Sequence, residues 1–210
     1  LRLLRTTKKV LSILKKEIKQ RGFYHFLIMY KSNFTAVLRG LLYQLLYMKN
    51  IKSRIFFIGS RSRFDIYNSK SKITIGDFVY IRKNSTLRVD FYGQLNIGDK
   101  VAINDNCNIS CIHKISIGSY TKIGQNVCIY DHDHNYRKRG DDRLLTGEVV
   151  IGKNVWIGSN VVILRGSIIG DNAVIAAGSV VKGKVPGNSL YLNKRHSEII
   201  QYDQERLVVL

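Results

Sequence analysis

An aliphatic residue returns at every sixth position through much of this chain, and that period constrains the fold more than any other feature. The clearest run reads Ile151-Gly152, Ile157-Gly158, Ile163, Ile169-Gly170, Ile175 and Val181. Earlier runs go from Ile75-Gly76 to Ile81 to Leu87, from Ile97-Gly98 to Ile103 to Ile109, and from Ile117-Gly118 through Ile123-Gly124 to Ile129. A short fixed period of this kind marks a repeat architecture. Three six-residue strands close one triangular turn, and each inward aliphatic side chain stacks on its counterpart one turn on. The Gly, Asp or Asn that follows suits a tight corner, where positive φ is tolerated. Each turn buries its inner face only against its neighbours, so several turns are needed for stability. Ile151 to Ile169 spans one turn; Ile75 to Ile97 and Ile97 to Ile117 are slightly longer, with small insertions at corners. Simple alternation would also fit a sandwich, but the strict spacing of the Ile-Gly pairs does not. The expected fold is an all-β solenoid over residues 51–192.

One interval breaks the rhythm. Between Ile129 and Val149 the sequence is polar, charged and aperiodic, and includes Tyr130-Asp131-His132-Asp133-His134-Asn135. It reads as a loop, residues 130–148, pushed out of the wall, and loops on rigid scaffolds are where function tends to sit.

The front of the chain is different. Residues 8–48 carry helical periodicity, with Val10, Leu11, Leu14 and Ile18 among lysines, and with Phe34, Val37, Leu38, Leu41, Leu42, Leu45 and Leu46 on one broad face. Gly22 is a candidate break between two helices. Of 34 Lys/Arg and 15 Asp/Glu in the chain, residues 1–72 hold 17 and 2, so most of the +19 formal charge lies there. That field attracts polyanions. No nucleic-acid reader motif accompanies it. Two readings of residues 1–50 stand together: a helical cap on the solenoid, and a basic amphipathic segment making peripheral contact with an anionic membrane. Residues 193–210 form a C-terminal tail. The apolar runs fall far short of the ~20 residues a membrane span needs. Cys107, Cys111 and Cys128 show no CxxC and no disulfide framework; small buried side chains in a reducing cytoplasm are expected. No signal peptide is read, so the expected location is cytoplasmic, at most peripheral at the inner membrane face.

These repeats resemble the hexapeptide-repeat acyltransferases. The resemblance covers roughly residues 73–188 and is most specific at Ile117-Gly118 through His134, at Asn154-Val155-Trp156-Ile157-Gly158, and at Val174-Ile175-Ala176-Ala177-Gly178-Ser179-Val180-Val181. The maltose/galactoside-type and capsular-polysaccharide O-acetyltransferases are the most similar branches. The family implies a left-handed parallel β-helix, a hand opposite to the usual crossover rule, together with a homotrimer whose active sites are shared between chains. It implies acetyl-CoA as acyl donor and a carbohydrate acceptor, with no metal expected.

By the same resemblance His134 takes the place of the family's general base. A neutral imidazole there would accept the proton of a sugar hydroxyl attacking the thioester. His132 is expected on the opposite side of the extended strand, as a substrate contact, with Asp131 beside it. Asn104 matches a family asparagine that donates to the acceptor or the oxyanion, a role worth ~3 kcal/mol, and Asn106 is a second substrate candidate. Trp156, Ser159, Ala177, Ser179, Lys182 and Lys194 would line the coenzyme A groove, with Lys182 and Lys184 as point charges for its phosphates. Asn193-Lys194-Arg195-His196-Ser197 departs from the family's usual segment at the adenine end, where Lys194 and Arg195 stand as substitutes. The alternatives are a small-molecule acetyltransferase acting on an antibiotic or amino sugar, and a non-catalytic solenoid binding module. A zinc-dependent relative on the same solenoid would need a His-x4-His pair that the sequence lacks.

Overall fold

The computed structural model describes residues 2–136 and 143–194, with side chains from residue 9 onward. Helix α1 (Arg2–Arg21) and helix α2 (Phe23–Leu46) are separated at Gly22, whose φ of 79° no other residue type adopts cheaply. From Ile51 the chain winds a parallel β-solenoid of six full turns and part of a seventh, as expected from the six-residue period. Its three faces carry seven, seven and six strands. The first face begins with Ile51–Lys52, the second with Phe56–Ile58 and the third with Arg63–Ile66.

The register follows the repeat. On the first face Ile75, Ile97, Ile117, Ile151 and Ile169 pair in succession. On the second, Ile81, Ile103, Ile123, Ile157 and Ile175 do the same. Leu87, Ile109, Ile129, Ile163 and Val181 complete the third. All fifteen are buried and form one aliphatic column that runs the length of the wall. Each fully buried Ile or Leu contributes about 1.5–3 kcal/mol.

The corners differ from the sequence expectation in one respect. Left-handed φ is taken by Asn84, Asn106, Asn126 and Asn160 along one edge and by Asn154, Asn172 and Asn188 along another, not by the glycines of the Ile-Gly pairs. Those glycines are there because backbones stack closely: a Cβ on Gly118 would lie 2.5 Å from the Gly152 carbonyl carbon and oxygen. The asparagines are linked side chain to side chain, Asn126 to Asn160 at 3.0 Å and Asn154 to Asn172 at 2.9 Å, so the edges are stitched as well as turned.

Helix α2 closes the open N-terminal end of the solenoid. Gly40 sits so close to the Phe56 carbonyl that a Cβ would be 2.6 Å from its oxygen. Tyr43 packs edge-on to Phe64 at 5.3 Å, and Arg39 Nε donates to the Ile58 carbonyl at 2.8 Å. The face that docks is therefore the one carrying Ala36, Gly40 and Tyr43. The leucine-rich face singled out by periodicity, with Phe34, Leu38, Leu41, Leu42, Leu45 and Leu46, points to solvent. Close helix–sheet approach selects small residues, which leaves the large apolar ones outside.

Candidate active site

The interrupted interval is a β-hairpin. Strands His132–His134 and Leu144–Thr146 pair antiparallel, with His132 opposite Thr146 and His134 opposite Leu144. The hairpin leaves the wall at the corner between the third and first faces, and the wall closes beneath it, Ile117 pairing directly with Ile151.

Two charged contacts fix its base. Asp131 is wholly enclosed, and its carboxylate accepts the backbone N–H of Ile112 at 3.0 Å and of His113 at 2.8 Å, from the preceding turn. It also lies 2.9 Å from His132 Nδ1. Burial pushes its carboxyl up, but the hydrogen bonds from His132, Ile112 and His113 outweigh burial and hold it below the usual carboxylate range. Arg165 Nε, from a later turn, donates to Asp133 at 2.7 Å.

These contacts reassign two residues. Asp131 has no surface with which to touch a substrate; it acts by holding the hairpin and orienting His132. His132 and His134 are two apart on one strand, and such residues share a face, so the expected placement on opposite sides does not hold. His134 is exposed, and His132 is half-buried against Asp131.

The other candidates gather along a different edge, between the second and third faces. Asn104 is half-buried there, and its Oδ1 accepts the Asp105 backbone N–H at 3.0 Å, which leaves Nδ2 as the donor of the side chain. Asn106, with φ of 60°, occupies the left-handed corner position. Farther along the same edge come Ser159 and Ala177, and Trp156 stands 62% exposed on the adjoining second face. Lys182 and Lys194 are exposed near the last turns. Ser179 is buried, its backbone bonded to Ala176 and Val162, so only neighbouring atoms remain accessible to a ligand. Val161 is likewise buried and adds nothing to an outer surface, whereas Val162 is partly exposed. Asn193 Oδ1 accepts the Val180 N–H at 2.6 Å and thereby extends the final turn; Arg195, His196 and Ser197 lie outside the described residues.

Within one chain the two groups stay apart. Asn104 lies before the third-face strand Asn108–Cys111, whereas the hairpin follows Cys128–Tyr130 at the opposite end of that face. The periodicity could not reveal Arg165 or the role of Asp131, because both act across turns. Their signal is register: Asp133 meets Arg165 only once the insertion is known to fold back on the wall.

A parallel solenoid of hexapeptide turns with one histidine-bearing hairpin is the architecture of the hexapeptide transferases. The family model described as "Bacterial transferase hexapeptide (six repeats)" matches residues 148–183. An Escherichia coli (strain K12) protein named as a lipopolysaccharide biosynthesis O-acetyl transferase, WbbJ, is 33% identical over 168 residues, which cover 73% of this chain and 85% of that one. The hexapeptide-repeat acetyltransferase VCA0836 of Vibrio cholerae, solved with acetyl coenzyme A, superposes with a TM-score of 0.50 at 28% identity, over 72% of this chain and 71% of that one. The Bacillus cereus N-acyltransferase AntD shares the fold, with a TM-score of 0.57 at 21% identity over 69% and 79% of the two chains. The chain belongs to the hexapeptide-repeat acetyltransferase family.

Proposed function

We propose that this protein is an acetyl-CoA-dependent O-acetyltransferase that modifies a sugar hydroxyl of a cell-surface polysaccharide or its precursor. The observation that carries this reading is the hairpin: the single large interruption of an otherwise regular wall presents exposed His134 on a base anchored by Asp131 and Arg165.

In the proposed reaction the sugar hydroxyl oxygen attacks the thioester carbonyl carbon while His134 takes the hydroxyl proton. The carbonyl oxygen gains negative charge, and the Asn104 Nδ2 donates to it or to the acceptor. The C–S bond then breaks, and the imidazolium returns its proton to the departing thiolate, giving free coenzyme A and the acetyl ester. Coenzyme A would run along the edge of Ser159 and Ala177, beside Trp156, toward Lys182 and Lys194. Because His134 and Asn104 belong to different edges of one chain, the site is completed by a neighbouring copy in a homotrimer. The outward leucines of α2 and the lysines of α1 support peripheral contact with an anionic membrane. Among the described residues no helix is long and apolar enough to cross one.

The test is turnover of acetyl-CoA against a panel of glycans and sugar precursors, with the product linkage read by NMR. An O-acetyl sugar supports the reading. Transfer to small amines or thiols alone, with no sugar ester, overturns it.

A further inference from the structure

A groove of about 830 Å3 runs between α2 and the second face, within the ~300–1,000 Å3 range of small-ligand sites. Its floor is a single ladder of outward side chains in register: Phe57, Tyr80, Ala102, Lys122 and Trp156. Phe57 and Tyr80 stack with ring centres 4.0 Å apart and planes 7° from parallel. Ala102 then opens a notch between Tyr80 and Lys122, which stand two rungs, about 10 Å, apart. Asn104, just past the end of the strand Ala102–Ile103, also lines the groove.

The charge of the groove is one-sided. Its charged lining residues are Arg39, Arg82, Lys83 and Lys122, and none is acidic. Arg82 is answered by Asp105 at 3.2 Å. Arg39, Lys83 and Lys122 make no ion pair among the described residues. Three uncompensated cations around a cleft, with a low-dielectric wall on both sides, focus a positive potential inside it. A neutral sugar gains little from this field, whereas a sugar carrying a phosphate or diphosphate is drawn into it.

We propose that the notch holds the phosphate or diphosphate of an activated sugar acceptor, gripped by Lys83, Lys122 and Arg39, with the Tyr80 and Trp156 faces as flat apolar walls for the sugar or its carrier. This deepens the acetyltransferase reading and rests on it for the word acceptor: the enzyme acts on the activated building block rather than on finished neutral polymer. Among the coenzyme A candidates, Ala177 and Lys182 lie on later turns, while Ser159 shares the turn of Trp156, which borders both paths; Arg39, Lys83 and Lys122 belong to the acceptor side alone.

Trp156 is the only tryptophan of the chain, so its fluorescence reports on the groove. Without coenzyme A, the probes are sodium pyrophosphate, glucose, UDP-glucose and farnesyl-diphosphoglucose in detergent. The diphosphate-linked sugars should bind more tightly than glucose, pyrophosphate should compete with them, and raised salt should weaken them. Lys83→Gln and Lys122→Gln should each weaken this binding by roughly tenfold, while leaving the melting temperature and coenzyme A affinity unchanged. A preference for UDP-glucose points to a nucleotide carrier, and one for the farnesyl compound to a lipid carrier. Equal affinity for glucose and its diphosphates, or a loss of coenzyme A binding in the two variants that matches their loss of sugar binding, overturns the proposal. If diphosphosugars bind as expected but acetyl-CoA is never turned over with them or with any sugar, the groove assignment stands and the acetyltransferase reading fails.

Discussion

The enclosed carboxylate of Asp131 lies 2.9 Å from Nδ1 of His132 while it accepts two backbone N–H groups from the turn below. One side chain thus ties the hairpin to the wall and sets the ring of its first histidine. Asp131→Asn places an amide N–H2 where donors already converge, and is expected to cost about 1–3 kcal/mol. The folded-state pKa is lowered, so the wild-type contribution is full above the ordinary carboxylate range and fades as pH falls through and below that range. Melting curves of wild type and variant should therefore differ at pH 7 and converge in acid. A constant difference down to the lowest pH would contradict the assignment.

Replacing His134 tests the base directly. His134→Ala should lower kcat by roughly 100- to 10,000-fold, with acetyl-CoA affinity unchanged, as measured by steady-state kinetics and calorimetry. His132→Ala should cost less, since its ring is held against Asp131. The reverse order would move the base to His132.

The proposed sharing of sites between chains predicts complementation. His134→Ala and Asn104→Ala homotrimers should each be nearly inactive, and refolding them together should restore activity, because some sites then draw His134 from one chain and Asn104 from the other. Mixed trimers with no gain would confine the site to one chain.

The two kinds of glycine in the wall should respond differently. Gly118→Ala forces a Cβ against the next turn, and is expected to destabilise by about 1–3 kcal/mol through a backbone shift. Gly166 has φ of 75° and nothing within 4 Å of the added Cβ, so Gly166→Ala costs only the left-handed strain of about 1–2 kcal/mol. Crystal structures of the two variants separate the mechanisms: the first moves Gly152, the second moves nothing.

Burial pushes the Cys107 thiol up to about 11 and the Cys111 thiol higher still. Neither should react with a disulfide reagent at pH 8 in the folded protein, and both should react in denaturant. Fast labelling of either in the native state would mean that the wall opens there.

The solenoid was legible because its core is written with a period: Ile75, Ile97 and Ile117 could be matched by eye with the partners they have in space. The role of α2 was not, because periodicity finds the most apolar face. Docking against Phe56 selected Gly40 instead, and left Leu41 and Leu45 outside. His134 stands out in the sequence only through the resemblance, and the contact beside it not even so, since Arg165 reaches Asp133 across 32 residues of sequence. The ladder Phe57, Tyr80, Ala102, Lys122, Trp156 is spread over turns of unequal length, and reading it requires the register that only the folded wall supplies.

The closing of the wall beneath the hairpin has a consequence for how such enzymes diversify. Ile117 and Ile151 are immediate neighbours in the ladder whatever lies between them. The hairpin is accordingly a cassette: it can lengthen, shorten or be traded between relatives without disturbing a single rung, provided Asp131 and Asp133 still meet their partners in the wall, the Ile112 and His113 N–H groups and Arg165.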